Sequence, residues 1–417
     1  MFLQGHPSFF ACRLADELER HGHRALRINL CLGDALYWFN RHSTSYRGRY
    51  CNWPGFLRDF IKKEGVTDIL YYGDRRPYHI AASEVARELG INAFAYEFGY
   101  LRPDWLTIEQ GGMSVYSHFP DDPAEIMNIS RGFEAPDMDR KYPYSKSGEL
   151  FNEVVYNLLG YLIPIFYPFY KADRYYNLLL EYVSGIPGLF LEGRNERRAQ
   201  KVIGNLVAED QNFFLFPLQL QSDYQIRANS NFNHQGEAIE RAIISFAGHA
   251  QPEHHLLFKQ HPLDNGWEGW SKLTENLARS HGISERVHFV IGGDLDLLLE
   301  HTRGCVVINS SVGLHAVQAD CPVKALGKAI YDIDGICHQG SLDDFWNVRT
   351  SPDVALTDAL VRALAGTIQV KGNFFTKEGQ TAAIPAMANM LIDGQVNGHG
   401  AYVDPPPRLA GLRSKMA

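Results

Sequence analysis

The stretch that decides the fold is TDILYYGDRRPYHIAASEVARELGINAFAYEFGY, residues 67–100. It opens with a short run of aliphatic and aromatic residues. It continues with apolar residues at helical spacing up to a glycine, and it closes with a second apolar run. Short apolar runs are typical of buried strands, and the spacing between these two is typical of an amphipathic helix that stops at glycine. The stretch therefore predicts a strand, a crossover helix and a second, parallel strand.

The same alternation extends in both directions and predicts two α/β domains. A chain of 417 residues is longer than one hydrophobic core usually serves. The alternation runs from the N-terminus, gives way to a helical, aromatic-rich stretch, and restarts near residue 213. We predict a Rossmann-like domain over 1–145, a helical connector over 146–210, and a second Rossmann-like domain over 211–395 that faces the first across a cleft. The proline-rich and then basic tail, 396–417, is predicted to be disordered.

Composition narrows the classes of function and compartment. The net charge of −8 argues against a nucleic-acid partner. The six cysteines form no C-x-x-C pair and several lie in apolar stretches, which predicts reduced thiols in a reducing compartment. The N-terminal MFLQGHPSFF is not a secretory signal, and no apolar stretch reaches the roughly 18 residues of a membrane span. We therefore expect a cytoplasmic protein.

Two polar motifs follow predicted strands of the second domain, where open α/β sheets bind their ligands. FKQHP, 258–262, brings a lysine and a histidine to a strand end before a proline that stiffens the turn. INSS, 308–311, precedes a helix whose N-terminal N–H groups favour an anion. Each motif alone is also explained by an ordinary loop or a helix cap. Together they predict a phosphate site formed by Lys259, His261, Pro262, Asn309, Ser310 and Ser311.

A third strand end, VIGGDLD at 290–296, adds Gly293 to the predicted donor site. Asp294 and Asp296 imitate a metal-binding D-x-D pattern, but acids in a first helical turn also offset the helix dipole, and this second interpretation is preferred. The chain has neither GxGxxG nor GxxxxGK[ST], so neither a dinucleotide fold nor a P-loop is supported. We expect neither a metal ion nor another cofactor.

The segment FPLQLQSDYQIR, 216–227, carries polar residues at alternating positions, with Asp223 as its only carboxylate. Alternation of this kind predicts one face of an extended segment that lines a polar cleft. The alternative is a solvated loop with a turn aspartate. The polar row consists of Gln219, Gln221, Asp223, Gln225 and Arg227, of which Gln219 and Arg227 are predicted to bind the donor.

The first domain carries charged residues after two predicted strands. Glu97 ends one strand, and YGDRRPYH, 72–79, follows another. Surface charge would explain either cluster alone, but two at neighbouring strand ends favour a binding site. The predicted acceptor- or sugar-binding residues are Arg75, Arg76, Arg102 and Asp104.

The stretch 156–176 is rich in aromatic and aliphatic residues, with Lys171 and Arg174 near its end. Pro164 and Pro168 exclude a spanning helix. The stretch is either a buried connector or an interfacial patch that admits a lipid, because aromatic rings flanked by cations favour the headgroup layer.

Taken in order, FLQG, YGDRRPYH, EFGYLRPDW, FPLQLQSDYQIR, FKQHPLDNG and INSSVGLHA resemble the capsule polysaccharide biosynthesis proteins of the KpsS/LipB type. The resemblance covers most of residues 1–350. That family is similar to bacterial β-Kdo transferases, which move the 2-keto sugar acid Kdo from CMP-Kdo to a phospholipid at the start of a capsule anchor. The pairing of His-Pro with Ser-Ser is shared more widely among CMP-sugar transferases, including sialyltransferases.

The resemblance implies a GT-B fold and transfer with retention through a covalent sugar–enzyme intermediate. It implies Asp223 as the nucleophile, Lys259 and His261 on the CMP phosphate, and Glu97 as the acceptor base, although Phe98 stands where a related enzyme has aspartate. Expected partners are CMP-Kdo, a phospholipid acceptor of the phosphatidylglycerol type, the cytoplasmic face of the inner membrane, and other capsule biosynthesis and export proteins. A sialyltransferase and a catalytically silent scaffold of capsule assembly remain alternatives.

Overall fold

The computed structural model describes residues 1–143, 152–159, 165–208, 212–347 and 350–411. Its helices and strands are, in chain order, α1 Phe10–Arg20, β1 Ile28–Asn29, α2 Leu32–Leu36, β2 Thr44–Ser45, α3 Trp53–Glu64, β3 Asp68–Tyr72, α4 Pro77–Leu89, β4 Asn92–Phe98, β5 Trp105–Gln110, α5 Pro123–Ser130, α6 152–159, α7 Leu178–Ala208, β6 Phe213–Pro217, α8 Tyr224–Arg227, α9 Gln235–His249, β7 His255–Gln260, α10 Trp270–Ser280, β8 Val287–Ile291, α11 Leu295–His301, β9 Gly304–Val307, α12 Ser311–Gln318, β10 Val323–Ala325, α13 Leu342–Phe345, α14 Val354–Thr367, β11 Gln369–Lys371 and α15 Lys377–Ile392.

The chain forms two compact α/β units, which confirms the predicted fold class. The first unit comprises Met1–Pro120, Asn128–Asp173 and Val361–Pro407. The second comprises Asp121–Met127, Arg174–Leu360 and the residues from Arg408 onward. The stretch that opened the sequence analysis forms β3, α4 and β4, with the two strands parallel as predicted. Gly90, at φ +66°, ends α4 in the left-handed conformation that glycine adopts at little cost.

The first unit contains a sheet of order β11-β5-β4-β3. Beyond β3, Phe2 bridges to Leu70 on one side and to Arg27 on the other, and β1 pairs with β2. The sheet is mixed: β4 is parallel to β3 as predicted, but β5 runs antiparallel to β4 and β11 runs antiparallel to β5. A short connection of 99–104 allows this reversal, whereas a parallel strand would require a longer crossover.

The C-terminal part of the chain belongs to the first unit, so the predicted boundary at 395 is wrong. β11 adds an edge strand next to β5, and α15 packs against α1. Arg13 of α1 donates a hydrogen bond to Gln380 of α15 at 2.6 Å. Apolar residues of both helices, including Leu14 and Met387, share one buried core. The free energy gained by burying the apolar face of this amphipathic helix outweighs the cost of bringing in a segment that is distant along the chain.

The tail is ordered over 396–411, contrary to the prediction. Ala401 is fully buried, and 407–411 form a short 3-10 helix. Within the second unit, Arg408 donates to the backbone carbonyls of Ala329 and Ile330, each at 3.1 Å. The remaining tail residues, 412–417, lie outside the described residues.

The predicted connector is not a separate domain. Residues of this range up to Asp173 belong to the first unit, and those from Arg174 belong to the second. Helix is present in α6 and α7, as predicted, but 165–177 is irregular. The parts of the connector at 146–151, 160–164 and 209–210 lie outside the described residues. Among the helices described, none combines the length and apolar content needed to cross a bilayer.

The second unit contains a five-stranded parallel sheet of order β10-β9-β6-β7-β8, as the alternation predicts. β6 and β9 are buried along their whole length, and β7 is buried from Leu256 onward. Large side chains such as Phe216, Phe258 and Trp346 fill the core. In a parallel sheet all the carboxyl ends meet at one edge, so the turns that follow β6, β7, β8 and β9 lie together.

Candidate functional site

Asp223 lies in the turn after β6, at the carboxyl edge of the parallel sheet in the second unit. It is the N-cap of α8, and its carboxylate accepts the backbone N–H of Gln225 at 2.8 Å. The side chain is half-buried. Burial raises the pKa of Asp223 above its ordinary 3.8, and the single N–H bond offsets this only in part.

The loop that carries Asp223 is fixed from below by two buried amides. Gln219 donates to Asn309 Oδ1 at 3.2 Å and accepts the Asn309 backbone N–H at 3.4 Å. Asn309 Nδ2 in turn donates to the carbonyls of Gln225, at 2.8 Å, and Asn229, at 3.1 Å. Both side-chain amides therefore form hydrogen bonds within the protein. Gln219 and Asn309 stabilise the conformation of the loop.

The prediction of an extended polar face over 216–227 is wrong in its second half, because 224–227 form the helical turn α8. Asp223 favours this turn by capping it. Gln221 also points into the protein, where it accepts the N–H of Gln235 at 2.7 Å.

Lys259 and His261 leave β7 at the same edge of the sheet. Lys259 is buried and lies in register with Pro217 of β6 and Val290 of β8. His261 follows the strand, and its Nδ1 accepts the backbone N–H of Leu263 at 3.1 Å. This bond fixes the tautomer of the neutral ring, whose proton is then on Nε2, where it can be donated to an anion. Pro262 is exposed in the turn that follows.

Ser310 and Ser311 begin α12 after β9. Ser310 caps the helix by accepting the N–H of Val312 at 3.2 Å, and both serines are half-buried. Tyr331 donates its hydroxyl to the carbonyl of Ser310. Gly313 permits this approach, because a Cβ there would lie 2.2 Å from the hydroxyl of Tyr331. The helix start at Ser310 is thus held in place on the same edge as Asp223 and His261.

Gly293 takes a different role from the one predicted. Its N–H donates to the carboxylate of Glu196, from α7, at 2.9 Å. A Cβ on Gly292 would lie 2.4 Å from the same carboxylate. Asp294 caps α11 by accepting the N–H of Asp296 at 2.9 Å, which confirms its interpretation as a helix-start acid. Within the described part of the chain, no three His, Cys, Asp or Glu side chains are grouped as metal ligands would be.

Sequence reasoning missed the aromatic residues that surround Arg227. The guanidinium Cζ lies 5.3 Å from the ring centre of Tyr175 and 5.2 Å from that of Tyr224. Tyr176 donates its hydroxyl to Glu268, whose other oxygen lies 3.0 Å from Nε2 of His234. The only signal in the sequence was the consecutive pair Tyr175 and Tyr176, with nothing to indicate what it contacts.

In the first unit, Arg76 and Arg102 lie near aromatic rings at the carboxyl ends of β3 and β4. Arg76 lies 5.4 Å from the ring of Tyr72, and Arg102 lies 5.3 Å from that of Phe98. The two rings are 6.3 Å apart, edge to face. Glu97 is half-buried in β4 opposite Thr107, and its charge adds to burial in raising the pKa of Tyr72.

Two further residues near Arg76 were not identified from the sequence. His6 is buried and stacks on Phe374 at 4.5 Å, and burial together with Arg76 lowers the pKa of His6 to about 3. Burial raises the pKa of Glu153, in α6, while Arg76 opposes the shift. The motif FLQGH did carry His6, but without a predicted role.

Arg75 and Asp104 are engaged in the fold of the first unit, which argues against the predicted contact with an acceptor or sugar. Arg75 Nε lies 3.2 Å from the carboxylate of Asp74, and its guanidinium lies 3.6 Å from the ring centre of Tyr116. Asp104 is buried at φ +61°, and its carboxylate accepts the N–H groups of Lys141 and Tyr142 at 2.7 and 2.8 Å.

The chain matches the model of one known protein family over most of its length. The model of the capsule polysaccharide biosynthesis proteins matches residues 67–375. The chain belongs to this family. It is 31% identical over 357 residues to the capsule polysaccharide export protein KpsS of Escherichia coli, covering 85% of this chain and 91% of that one. It is 30% identical over 387 residues to the capsule polysaccharide modification protein LipB of Neisseria meningitidis serogroup A, covering 90% and 91%.

Similar solved structures include two of Thermosulfurimonas dismutans KpsC. The β-Kdo 2,7 transferase has a TM-score of 0.44 and 13% identity, over 94% of this chain and 98% of that one. The β-Kdo 2,4 transferase has a TM-score of 0.39 and 15% identity, over 89% and 92%.

Proposed function

We propose that this member of the capsule polysaccharide biosynthesis family is a retaining transferase that moves Kdo from CMP-Kdo to a phospholipid of the phosphatidylglycerol type. The observation that carries the proposal is the edge of the second sheet. A carboxylate at Asp223, an Nε2–H donor at His261 and a capped helix start at Ser310 follow three strands of one parallel sheet. A reaction that releases an anionic leaving group requires hydrogen-bond donors for that group, and a double displacement requires a nucleophile. This edge of the sheet carries both kinds of group.

In the first step, the Asp223 carboxylate attacks the anomeric carbon of Kdo. The bond from that carbon to the phosphate oxygen breaks, and CMP leaves with the electron pair. Lys259, His261 and the start of α12 meet the charge that grows on the phosphate. Fixed donors of this kind stabilise the transition state more than the ground state, because the leaving oxygen gains charge as the bond breaks. We propose that these groups suffice without a metal ion.

In the second step, a hydroxyl of the lipid headgroup attacks the same carbon and displaces the Asp223 carboxylate. The hydroxyl proton passes to a base, for which we propose Glu97 of the first unit. Two displacements at one carbon restore the original configuration, so the sugar is transferred with retention. Glu97 is half-buried near the carboxyl end of β4, so part of its side chain is accessible from solvent, as a base that takes a proton from an acceptor must be.

A surface of the first unit supports a lipid acceptor. Three large apolar side chains are exposed within five residues: Ile165 by 82%, Phe166 by 49% and Phe169 by 48%. Between them, Tyr167 is buried, and its hydroxyl lies 2.8 Å from Ser45 Oγ. The part of the predicted patch at 160–164 lies outside the described residues. Tyr167 thus fixes a segment that presents its apolar side chains to solvent.

Exposed cations surround the same segment. The guanidinium of Arg49 lies 5.3 Å from the ring of Phe169, and that of Arg47 lies 5.8 Å from the ring of Tyr167. Lys171 follows directly, with its ammonium 4.9 Å from the ring of Tyr50. Aromatic side chains beside cations favour an anionic lipid surface. We propose peripheral attachment to the cytoplasmic face of the inner membrane, where capsule export proteins would be partners.

The experiment that tests the proposal supplies CMP-Kdo and phosphatidylglycerol vesicles and identifies the product. A lipid carrying one or more β-linked Kdo residues supports it. CMP-sialic acid in place of CMP-Kdo tests the alternative donor, and turnover of that donor alone would contradict the proposal. A folded protein that turns over neither donor would instead favour a scaffold of capsule assembly.

A further inference from the structure

Asp223 and Arg227 bracket a single helical turn in the second unit. Asp223 is the N-cap of α8 and Arg227 is its last residue. The backbone N–H of Arg227 donates to the carbonyl of Asp223 at 3.1 Å. Asp223 itself is extended at the N-cap, and its carboxylate accepts the N–H of Gln225. A carboxylate and a guanidinium are thus carried by one short turn at the edge of the sheet where the donor is proposed to bind.

The guanidinium of Arg227 lies near two aromatic rings. Tyr175 and Tyr224 lie 5.3 and 5.2 Å from Cζ. An arginine over aromatic faces keeps its charge and a defined orientation, and its N–H fork remains directed along its own plane. Tyr224 comes from α8 itself, whereas Tyr175 comes from a segment almost 50 residues earlier in the chain.

That segment is anchored on the other side by Tyr176. The two tyrosine rings are 4.7 Å apart and nearly perpendicular. The Tyr176 hydroxyl donates to Glu268, and burial together with this carboxylate raises the pKa of Tyr176. Glu268 also lies 3.0 Å from Nε2 of His234, which caps α9 through its other ring nitrogen. A side chain of α9 and the turn after β7 thus hold the segment in place.

The chemistry of the proposed donor gives this arrangement a purpose. In a 2-keto sugar acid such as Kdo, the carboxylate is bonded to the anomeric carbon, the atom that Asp223 attacks. A residue that recognises the carboxylate must therefore lie within one side chain's reach of the nucleophile. A guanidinium matches a carboxylate with two parallel hydrogen bonds, and it also prevents that carboxylate from repelling the incoming Asp223.

We infer that Arg227 recognises the carboxylate on the reacting carbon of the donor, and that Tyr175 and Tyr176 position it for this contact. The inference rests on the proposed function, because it presupposes a keto sugar acid as the donor. Arg227 makes the contact, while the two tyrosines act through it. Arg227, positioned by Tyr175 and Tyr176, accordingly selects acidic donors over CMP-linked neutral sugars.

Binding measured by titration calorimetry tests the inference, in an Asp223→Asn protein so that the donor is not consumed. CMP serves as the internal standard, because it contains the phosphate and the base but no sugar carboxylate. Arg227→Lys and Tyr175→Ala should weaken the binding of freshly prepared CMP-Kdo roughly 10- to 100-fold, which is the range for a charged hydrogen-bonded pair. Their affinity for CMP should stay within about twofold of the parent, which also shows that the variants are folded.

Two matched variants separate positioning from general disturbance. Tyr175→Phe keeps the ring and should restore CMP-Kdo affinity to within about threefold of the parent, whereas Tyr176→Phe removes the bond to Glu268 and should weaken CMP-Kdo but not CMP. Arg279→Ala, an exposed arginine of α10 paired with Glu275 at 2.8 Å, should change neither affinity. Equal losses for CMP and CMP-Kdo, or no loss in Arg227→Lys, would overturn the inference while leaving the proposed function intact. A parent that binds CMP but not CMP-Kdo would contradict the proposed function itself.

Discussion

The side-chain amide of Gln219 makes two hydrogen bonds to Asn309: Nε2 donates to Asn309 Oδ1 at 3.2 Å, and Oε1 accepts the backbone N–H of Asn309 at 3.4 Å. The pair joins the turn after β6 to the turn after β9. Since Asn309 also donates to Gln225 and Asn229, the conformation of the loop around Asp223 depends on a buried amide 86 residues later in the chain.

Loss of this amide should therefore affect both stability and transfer. Asn309→Ala removes two buried hydrogen bonds that Asn309 Nδ2 donates. The carbonyls of Gln225 and Asn229 lose this donor. We expect a loss of about 1–3 kcal/mol in the free energy of unfolding, together with a larger fall in turnover than in CMP affinity. Urea unfolding and titration calorimetry check the two effects. The neighbouring Ser311→Ala, which leaves the amide pair intact, serves as the control for stability, and an unchanged unfolding midpoint in Asn309→Ala would contradict the account.

Removing the imidazole of His261 should lower turnover with little effect on folding. The side chain follows a strand end, and its contact with Leu263 stabilises only a local turn. The leaving phosphate gains negative charge in the transition state. Removing a charged or neutral hydrogen-bond donor from it lowers kcat about 100- to 1,000-fold. Steady-state release of CMP from CMP-Kdo measures the effect in His261→Ala. Pro262→Ala, which spares both ring and strand, should lose far less, and near-normal turnover in folded His261→Ala would refute the phosphate role.

The pH dependence should follow Asp223. Its pKa is raised in the folded protein, so the folded state binds this proton more tightly than the unfolded state does. Stability from this group is therefore present at low pH and is lost as pH rises from the unfolded pKa through the raised folded pKa. Transfer shows the opposite trend, because attack requires the ionised carboxylate.

Asp223→Asn removes the cost of ionising a half-buried carboxylate while its amide oxygen can still cap α8. At neutral pH the variant should melt at or above the temperature of the wild type, and the advantage should vanish below the ordinary pKa of aspartate. Transfer should collapse at every pH. Thermal melts between pH 3 and pH 8 check the sign, and a variant that melts well below the wild type at pH 7 would contradict it.

Membrane attachment should depend on the exposed rings of the first unit. Phe166→Ser combined with Phe169→Ser removes two apolar side chains, each worth about 1.5–3 kcal/mol when fully buried. We expect at least a tenfold loss of binding to vesicles that contain phosphatidylglycerol, and weaker binding of wild type at high salt because Arg47, Arg49 and Lys171 contribute charge. Ile244→Ser, equally exposed at 49% on α9, is the matched control. Vesicle binding that survives in the double variant, or that ignores lipid charge, would refute the surface.

Chelation should leave transfer unchanged, since the phosphate charge is proposed to be met by side chains and a helix start. Turnover of CMP-Kdo measured with and without EDTA checks this expectation. Suppose that EDTA inhibits strongly and added Mg²⁺ restores turnover. That result would show that Asp294 also binds a metal ion, beyond its role as a helix cap.

Local pattern was sufficient to predict the strand–helix alternation and the residues at the strand ends. A parallel sheet brings the carboxyl ends of its strands to one edge, so His261 and Ser310 could be placed together without knowledge of side-chain positions. Asp294 was interpretable for the same reason, because a helix cap depends on its immediate neighbours.

The errors arose where a distant segment determines the outcome. Gly293 looked like an open turn, but its N–H donates to Glu196, 97 residues earlier. Asp104 was predicted to bind the acceptor or sugar, but its carboxylate accepts the backbone N–H groups of Lys141 and Tyr142. β11 is a three-residue strand that pairs with β5 from more than 250 residues away, and its periodicity was too short to detect. Tertiary contacts of this kind override local pattern.

The most direct test of the account is the intact mass of the wild-type protein after mixing with CMP-Kdo and no acceptor. The account predicts a mass increase of one Kdo residue, located by peptide mapping to Asp223, absent in Asp223→Asn and lost again when the lipid acceptor is added. An adduct on another carboxylate would contradict the assignment of the nucleophile. An α-configured product, formed without any adduct, would contradict the double displacement.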